Sequence, residues 1–332
     1  MRQPMDSSDD RLERAFEAGI SIDLSSVLAL GVALESDPDN LLLRATLAGA
    51  SLRTQMAGKE RHRVLLLANQ LWWIDHHPDS SIISTPRMIS PTFGTADANA
   101  RLGEAWRRAL AAHPSNPRVL QNAAGFLGRD HPELAEELLL KACQLASEDP
   151  APHEQLGDLL RSGRRHSMTL QGWRGVLELY EMSLSKQTDG FSIQLLLEKL
   201  CKAALEAGEL DRARAVATQL LIHVKRDPES WNTGNVIHDA NLVLGRVALR
   251  EGDVESAKRH LLEAGRTRGS PQLDSFGPNM QLAKELLERG ERAIVREYFE
   301  LCRKFWDTVS LDRWIAEVKA GDMPDLRANL KY

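Results

Sequence analysis

The sequence predicts an all-α fold: a stack of about six or seven helical hairpins, an α–α superhelix closed by a C-terminal capping helix. Three observations predict it. One apolar spacing returns along the chain at a fixed step, and turn residues fall where paired helices would meet. The composition, 42% hydrophobic and 27% charged, is that of a folded chain and too rich in Leu, Ala and Val for disorder.

The first region, residues 1–97, opens on a polar, acidic stretch (1–10) with no apolar core of signal-peptide length. No later stretch approaches 18 uninterrupted apolar residues, so a cytoplasmic protein without a membrane partner is expected. Asp37-Pro38-Asp39-Asn40 starts a hairpin of Leu41–Met56 and Arg61–Ile74 that ends at His77-Pro78. Residues 79–97, with Pro86 and Pro91, read as an irregular loop. Asp75-His76-His77-Pro78 offers metal-ligand residue types, but adjacent histidines on one backbone rarely bind one ion together and no spaced partner follows. No metal and no cofactor are expected.

Residues 98–306 carry the repeats. Ala105-x3-Ala109 before Pro117 reads as the second helix of a hairpin. Val119-x2-Asn122-Ala123-x2-Phe126 then pairs with Ala135-x3-Leu139 across Asp130-His131-Pro132. The same frame returns at Leu197-x2-Leu200-Cys201-x2-Ala204 with Ala213-x3-Ala217, turning at Gly208. Asn241-x2-Leu244-Gly245-x2-Ala248, turning at Gly252-Asp253, leads to Ala257-x3-Leu261-x2-Ala264 and Pro271. Asn279-x2-Leu282-Ala283-x2-Leu286 leads through Gly290 to Val295-x3-Phe299. In these the step, as from Leu244 to Ala257, is 13 residues. At His153-x2-Leu156-Gly157-x2-Leu160 with Val176-x3-Tyr180 it is 20, which places a seven-residue insertion within 164–173, expected in an edge loop. The remainder, 307–332, holds a helix at Leu311–Lys319 expected to cap the stack, and a tail.

Small residues such as Gly157, Gly245, Ala248 and Ala257 let antiparallel helices approach while Leu and Phe fill the gaps. This pattern resembles the tetratricopeptide repeat (TPR), W-x2-L-G-x2-Y…A-x3-F…P, best at 241–271. It departs from that family where the leading Trp is Asn241, Asn279, His153, Leu197 or Val119. The resemblance implies a partner-binding groove lined by the first helix of each hairpin.

Net charge is −5, with no run of Lys and Arg, so nucleic acid is not an expected partner. Cys143, Cys201 and Cys302 are too far apart for a zinc pair or a disulfide scaffold, and the last two fall on core positions. The tryptophans lie mostly on helices, as packing residues; Trp173 stands at the edge of the insertion.

Two groups of residues are candidates for function. The 231–241 stretch places Asn235, His238 and Asn241 at three-residue intervals, beside Asp239, and the 275–279 segment brings Asn279 to the equivalent edge of the next hairpin. These side chains would converge near helix N-termini, which favour anions, unless they serve as caps and buried hydrogen-bonding groups. Lys202, Arg246 and Lys284 each follow their frame Leu by two residues and form the second group, a ladder of cations on the inner face, with Glu198–Lys202 and Lys284–Glu288 as local pairs. The expected function is a protein-interaction scaffold that holds an extended, anionic partner segment in its groove. The alternative is an enzyme or small-molecule site built from 231–241 and 275–279, with His238 and Asn235 in catalytic roles. Against it, no nucleophile triad, paired carboxylate or phosphate loop is recognisable.

Overall fold

The computed structural model describes residues 8–57, 60–84, 95–164, 168–225 and 228–330. Its secondary structure is 77% helical with no strand among the described residues, which makes the fold all-α. The chain divides into two compact units, Met1–Gly163 and Arg164–Tyr332, at the insertion. Among the described residues no helix is long and apolar enough to cross a membrane.

The first unit contains α1 (Ser8–Ile20), α2 (Leu24–Ser36), α3 (Leu41–Ala57), α4 (Glu60–His76), α5 (Ala96–Ala112), α6 (Pro117–Leu127), α7 (Pro132–Leu145) and α8 (Pro150–Arg164), whose last residue crosses the division. Helices α1 and α2 have no counterpart in the repeat frame read from the sequence. Asp23 starts α2 by accepting from the Ser25 and Ser26 amides at 2.8 and 2.9 Å. Helix α1 packs on α3 through glycine: a Cβ on Gly19 would lie 2.0 Å from the Thr46 carbonyl oxygen, and one on Gly49 would lie 1.9 Å from that of Phe16. Trp73 and Trp106 fill the core beside Phe16, Ile74 and Val119. Asn122 donates to the Pro78 and Ser80 carbonyls and pins the turn after α4. That turn continues as a short 3-10 helix at Ser81–Ser84; residues 85–94 of the expected loop lie outside the described residues.

The second unit contains α9 (Leu170–Lys186), α10 (Gly190–Glu206), α11 (Leu210–Val224), α12 (Thr233–Arg250), α13 (Val254–Gly265), α14 (Pro271–Phe276), α15 (Gln281–Leu287), α16 (Arg292–Cys302) and α17 (Val309–Ala320). Pairs α10/α11, α12/α13 and α15/α16 turn identically. Gly208, Gly252 and Gly290 have φ of 79, 83 and 85°, in the left-handed region that glycine enters without steric cost. The residue after each closes the same bond back into the first helix: Glu209 N to Ala204 O (2.9 Å), Asp253 N to Ala248 O (2.9 Å) and Glu291 N to Leu286 O (3.0 Å). This Schellman turn accompanies the fixed step in three hairpins, while α6/α7 keeps the step with Gly128 in helical conformation.

The insertion differs from the loop expected. Thr169 caps α9 by accepting from the Gly172 amide, so 170–173 are helical and Trp173 is buried rather than at a loop edge. Residues 165–167 lie outside the described residues. At the other end α17 lays Leu311, Trp314 and Val318 over Phe299, with Phe299 and Trp314 ring centroids 5.9 Å apart.

Candidate functional site

Both candidate groups fall in the second unit, where α10, α12, α14 and α15 carry them. Helix α12 is apolar on most sides: Val236, Ala240, Val243 and Val247 are buried, and so are Asn235, His238 and Asn241. Buried amides and imidazoles need partners, and each finds a different one. Asn235 donates to Asn232 Oδ1 (2.8 Å) and Gln272 Oε1 (2.9 Å) and accepts from Ser270 Oγ (2.6 Å). Asn241 donates to the Ile237 carbonyl at 2.8 Å, and its Oδ1 lies 3.0 Å from His260 Nδ1. His238 lies with Nδ1 3.0 Å from Asp239 Oδ1 and Nε2 3.2 Å from the Tyr298 hydroxyl. That hydroxyl stands 3.4 Å from the Asn279 carbonyl oxygen, so His238 and Asn279 meet through Tyr298 while Asn235 and Asn241 point elsewhere. Asn279 also uses its side chain, whose Oδ1 accepts from the Gln281 amide at the start of α15.

A second set of groups surrounds Asp239. Lys202, from α10, reaches it across the helix pair at 2.5 Å, rather than bonding to Glu198 on its own helix. Glu198 instead accepts from Asn232 Nδ2 at 2.7 Å, while Asn232 Oδ1 accepts from Asn235 rather than from a backbone amide of α12. The junction thus encloses two carboxylates against one ammonium. Burial raises the Glu198 carboxyl, Asp239 raises it further, and Lys202, Asn232 and Gln194 pull the other way, leaving it at about 7. Burial alone would raise Asp239 as well, but Lys202 and His238 hold it well below the usual carboxylate range. Burial, with Cys302 and Asp239 nearby, pushes the Tyr298 hydroxyl well above its usual value.

Lys202 stands on α10, Arg246 on α12 and Lys284 on α15, each with a carboxylate partner. Arg246 bridges two neighbours, Glu206 of α10 at 2.7 Å and Glu285 of α15 at 2.8 Å. Lys284 pairs with Glu288, the residue that ends α15, at 2.5 Å and is the most exposed of the three, at 37%. Outside this unit Asp75 pairs with Arg108 at 2.9 Å, and His76 stacks on Trp72 with its Nδ1 donating to the Trp72 carbonyl.

Glu198, Asn232, Ser270, Gln272, Glu206, Glu285 and Tyr298 complete these contacts and were not among the candidate residues. One signal for them does exist in the sequence. Partners in these cross-hairpin pairs are separated by about one repeat: 34 for Glu198–Asn232, 37 for Lys202–Asp239 and for Asn235–Gln272, and 39 for Arg246–Glu285. Tyr298 has no such signal, lying 60 residues from His238. Comparison with protein-family models gives no match, and comparison with curated proteins gives none either.

Proposed function

We propose that the chain is a tetratricopeptide-like repeat protein and a protein–protein interaction scaffold, holding an extended partner segment against the face formed by α10, α12 and α15. The observation that supports this reading is the Glu206–Arg246–Glu285 bridge. An extended segment needs successive helices to present side chains in one register, and Arg246 reaches the helix on each side of its own with a single side chain. Partner carboxylates are the expected counterpart. Lys284 is exposed and its i,i+4 pair with Glu288 is of the weak surface kind, so an incoming acid exchanges with Glu288 at little cost. The enzymatic or small-ligand alternative gains nothing from His238, whose two nitrogens both face protein groups. A reducing, cytoplasmic setting belongs to the same proposal, in keeping with Cys143, Cys201 and Cys302 all being free thiols.

The test is capture from lysate on the immobilised chain, identification of the bound segment by mass spectrometry, and its affinity as a synthetic peptide. Lys284→Glu is expected to weaken binding about tenfold and to reduce its salt dependence, with helical circular dichroism unchanged. Equal affinity for the wild type and for Lys284→Glu combined with Lys202→Gln would overturn the role of this face.

A further inference from the structure

Helix α12 runs unbroken for 18 residues, whereas the approach to the last hairpin is interrupted between α14 and α15. Pro278 has no amide proton and disfavours helical backbone at Gly277, whose φ of 80° ends α14. In a continuous helix the Met280 amide would donate to the Phe276 carbonyl. Here Asn329 stands between the two. Its carbonyl oxygen accepts from Met280 N at 2.8 Å, and its Nδ2 donates to the carbonyls of Phe276 at 3.2 Å and Pro278 at 3.1 Å. The loop leaves room for it only because residue 277 is glycine, since a Cβ there would lie 2.8 Å from Asn329 Nδ2. Asn329 belongs to the strap that follows α17, in which Pro324 and Leu326 are also buried. Leu326 and the half-buried Leu330 pack on the core that Leu286, Phe299 and Trp314 share. A segment held by so few buried groups opens more readily than the helices beneath it.

We propose that the 276–280 loop and this core form a peptide site that reads Pro-x-Leu-x2-Asn, that residues 324–329 fill it in cis, and that it takes the same segment from a second copy of the chain once its own has opened. The break in the helix supplies the backbone groups, and the chain's own strap displays the chemistry of the ligand. Asparagine is specified by its two N–H groups, each of which meets one carbonyl. Aspartate would turn acceptors towards those carbonyls, and leucine would leave them without a donor. The site uses none of Lys202, Arg246 and Lys284, so it stands or falls apart from the face proposed for a partner segment.

The experiment measures the fluorescence anisotropy of a labelled peptide of residues 322–330 against the full chain, as wild type and as Asn329→Ala. In the wild type the tethered strap competes at high effective concentration. In Asn329→Ala the strap keeps its backbone bond but loses both donors, so the peptide is expected to bind this chain about tenfold more tightly than the wild type. The same peptide carrying Asn329→Asp is expected to bind the variant chain about tenfold more weakly than the unaltered peptide. Hydrogen exchange on the wild type requires no substitution: the Met280 amide is expected to be protected about tenfold less than the Phe299 amide within α16. Absence of peptide binding to Asn329→Ala, equal affinity for the two chains, equal affinity of the two peptides, or equal protection of Met280 and Phe299 would each overturn the proposal.

Discussion

In the first unit α1 and α3 meet through glycine, backbone against backbone, whereas in the second α10 and α12 meet through two carboxylates, an ammonium and amides. Both bring helix axes together, but they fail in different ways. A glycine contact has no charge to titrate and no side chain to rearrange, so it is indifferent to pH and intolerant of added volume. A polar junction can absorb a change of shape by moving side chains, but not a change in its balance of charge. Substitutions of size and of charge therefore separate the two.

The largest effect is expected from size. In Gly49→Ala the new Cβ would fall 1.9 Å from the Phe16 carbonyl oxygen, and because the obstacle is backbone the two helices must part. The better helix propensity of Ala returns about 1 kcal/mol, against a packing cost beyond the ordinary overpacking range. A net loss of about 3 kcal/mol is expected in urea unfolding. Gly175→Ala on α9, where nothing lies within 4 Å of the added atom, is the control and is expected to gain up to about 1 kcal/mol. Equal midpoints for the two variants would mean that the α1–α3 crossing yields easily.

Charge comes next. Asp239→Asn keeps the shape but removes the negative charge and one of the two oxygens, Oδ2 facing Lys202 and Oδ1 facing His238. Breaking a buried pair costs about 3–5 kcal/mol, and Lys202, being a third exposed, recovers part of that from water, so about 2 kcal/mol is expected. Adding Lys202→Met is expected to restore much of it, since the cation then goes together with its partner. A double variant no more stable than Asp239→Asn would show that the cost comes from His238 rather than the ion pair.

The glycine-turned hairpins were legible because they repeat: one local rule, a left-handed residue after a helix, fixes Gly208, Gly252 and Gly290 independently of tertiary context. The cap at α17 was legible for the same kind of reason, an amphipathic stripe after the last repeat. The helix at Ser8–Ile20 carries the same kind of signal, with Leu12, Ala15, Phe16 and Ile20 on one face, but falls outside the repeat frame; what the sequence does not show is the pair of glycines, 30 residues apart, that brings it against α3. At the site, the sequence placed Lys202, Arg246 and Lys284 on successive first helices from spacing alone. The partners of Lys202 and Arg246 follow from side chains reaching between helices, which a frame read along one helix does not contain: it pairs Lys202 with Glu198 at i,i+4, whereas Asp239 lies 37 residues on.

The smallest expected effect isolates the excess charge in the polar junction. Glu198 holds its proton up to about 7 in the folded chain against 4.5 as its ordinary value, so between those two pH values the folded state binds more protons than the unfolded one. Stability therefore falls as pH rises through that window, and above it the junction encloses an ionised Glu198 that lacks a cation of its own. Asp239 acts with the opposite sign, and only in acid: its lowered carboxyl contributes stability that is lost as pH falls below the ordinary carboxylate range. Glu198→Gln retains an oxygen for the Asn232 amide and removes the charge. It is expected to match the wild type near pH 4.5 and to exceed it by about 1–2 kcal/mol at pH 8, after allowing for the high effective dielectric of real protein interiors. Thermal unfolding across pH 4.5–8 reads this directly. Parallel curves for variant and wild type would show that Glu198 is ionised throughout and that Lys202 neutralises both acids.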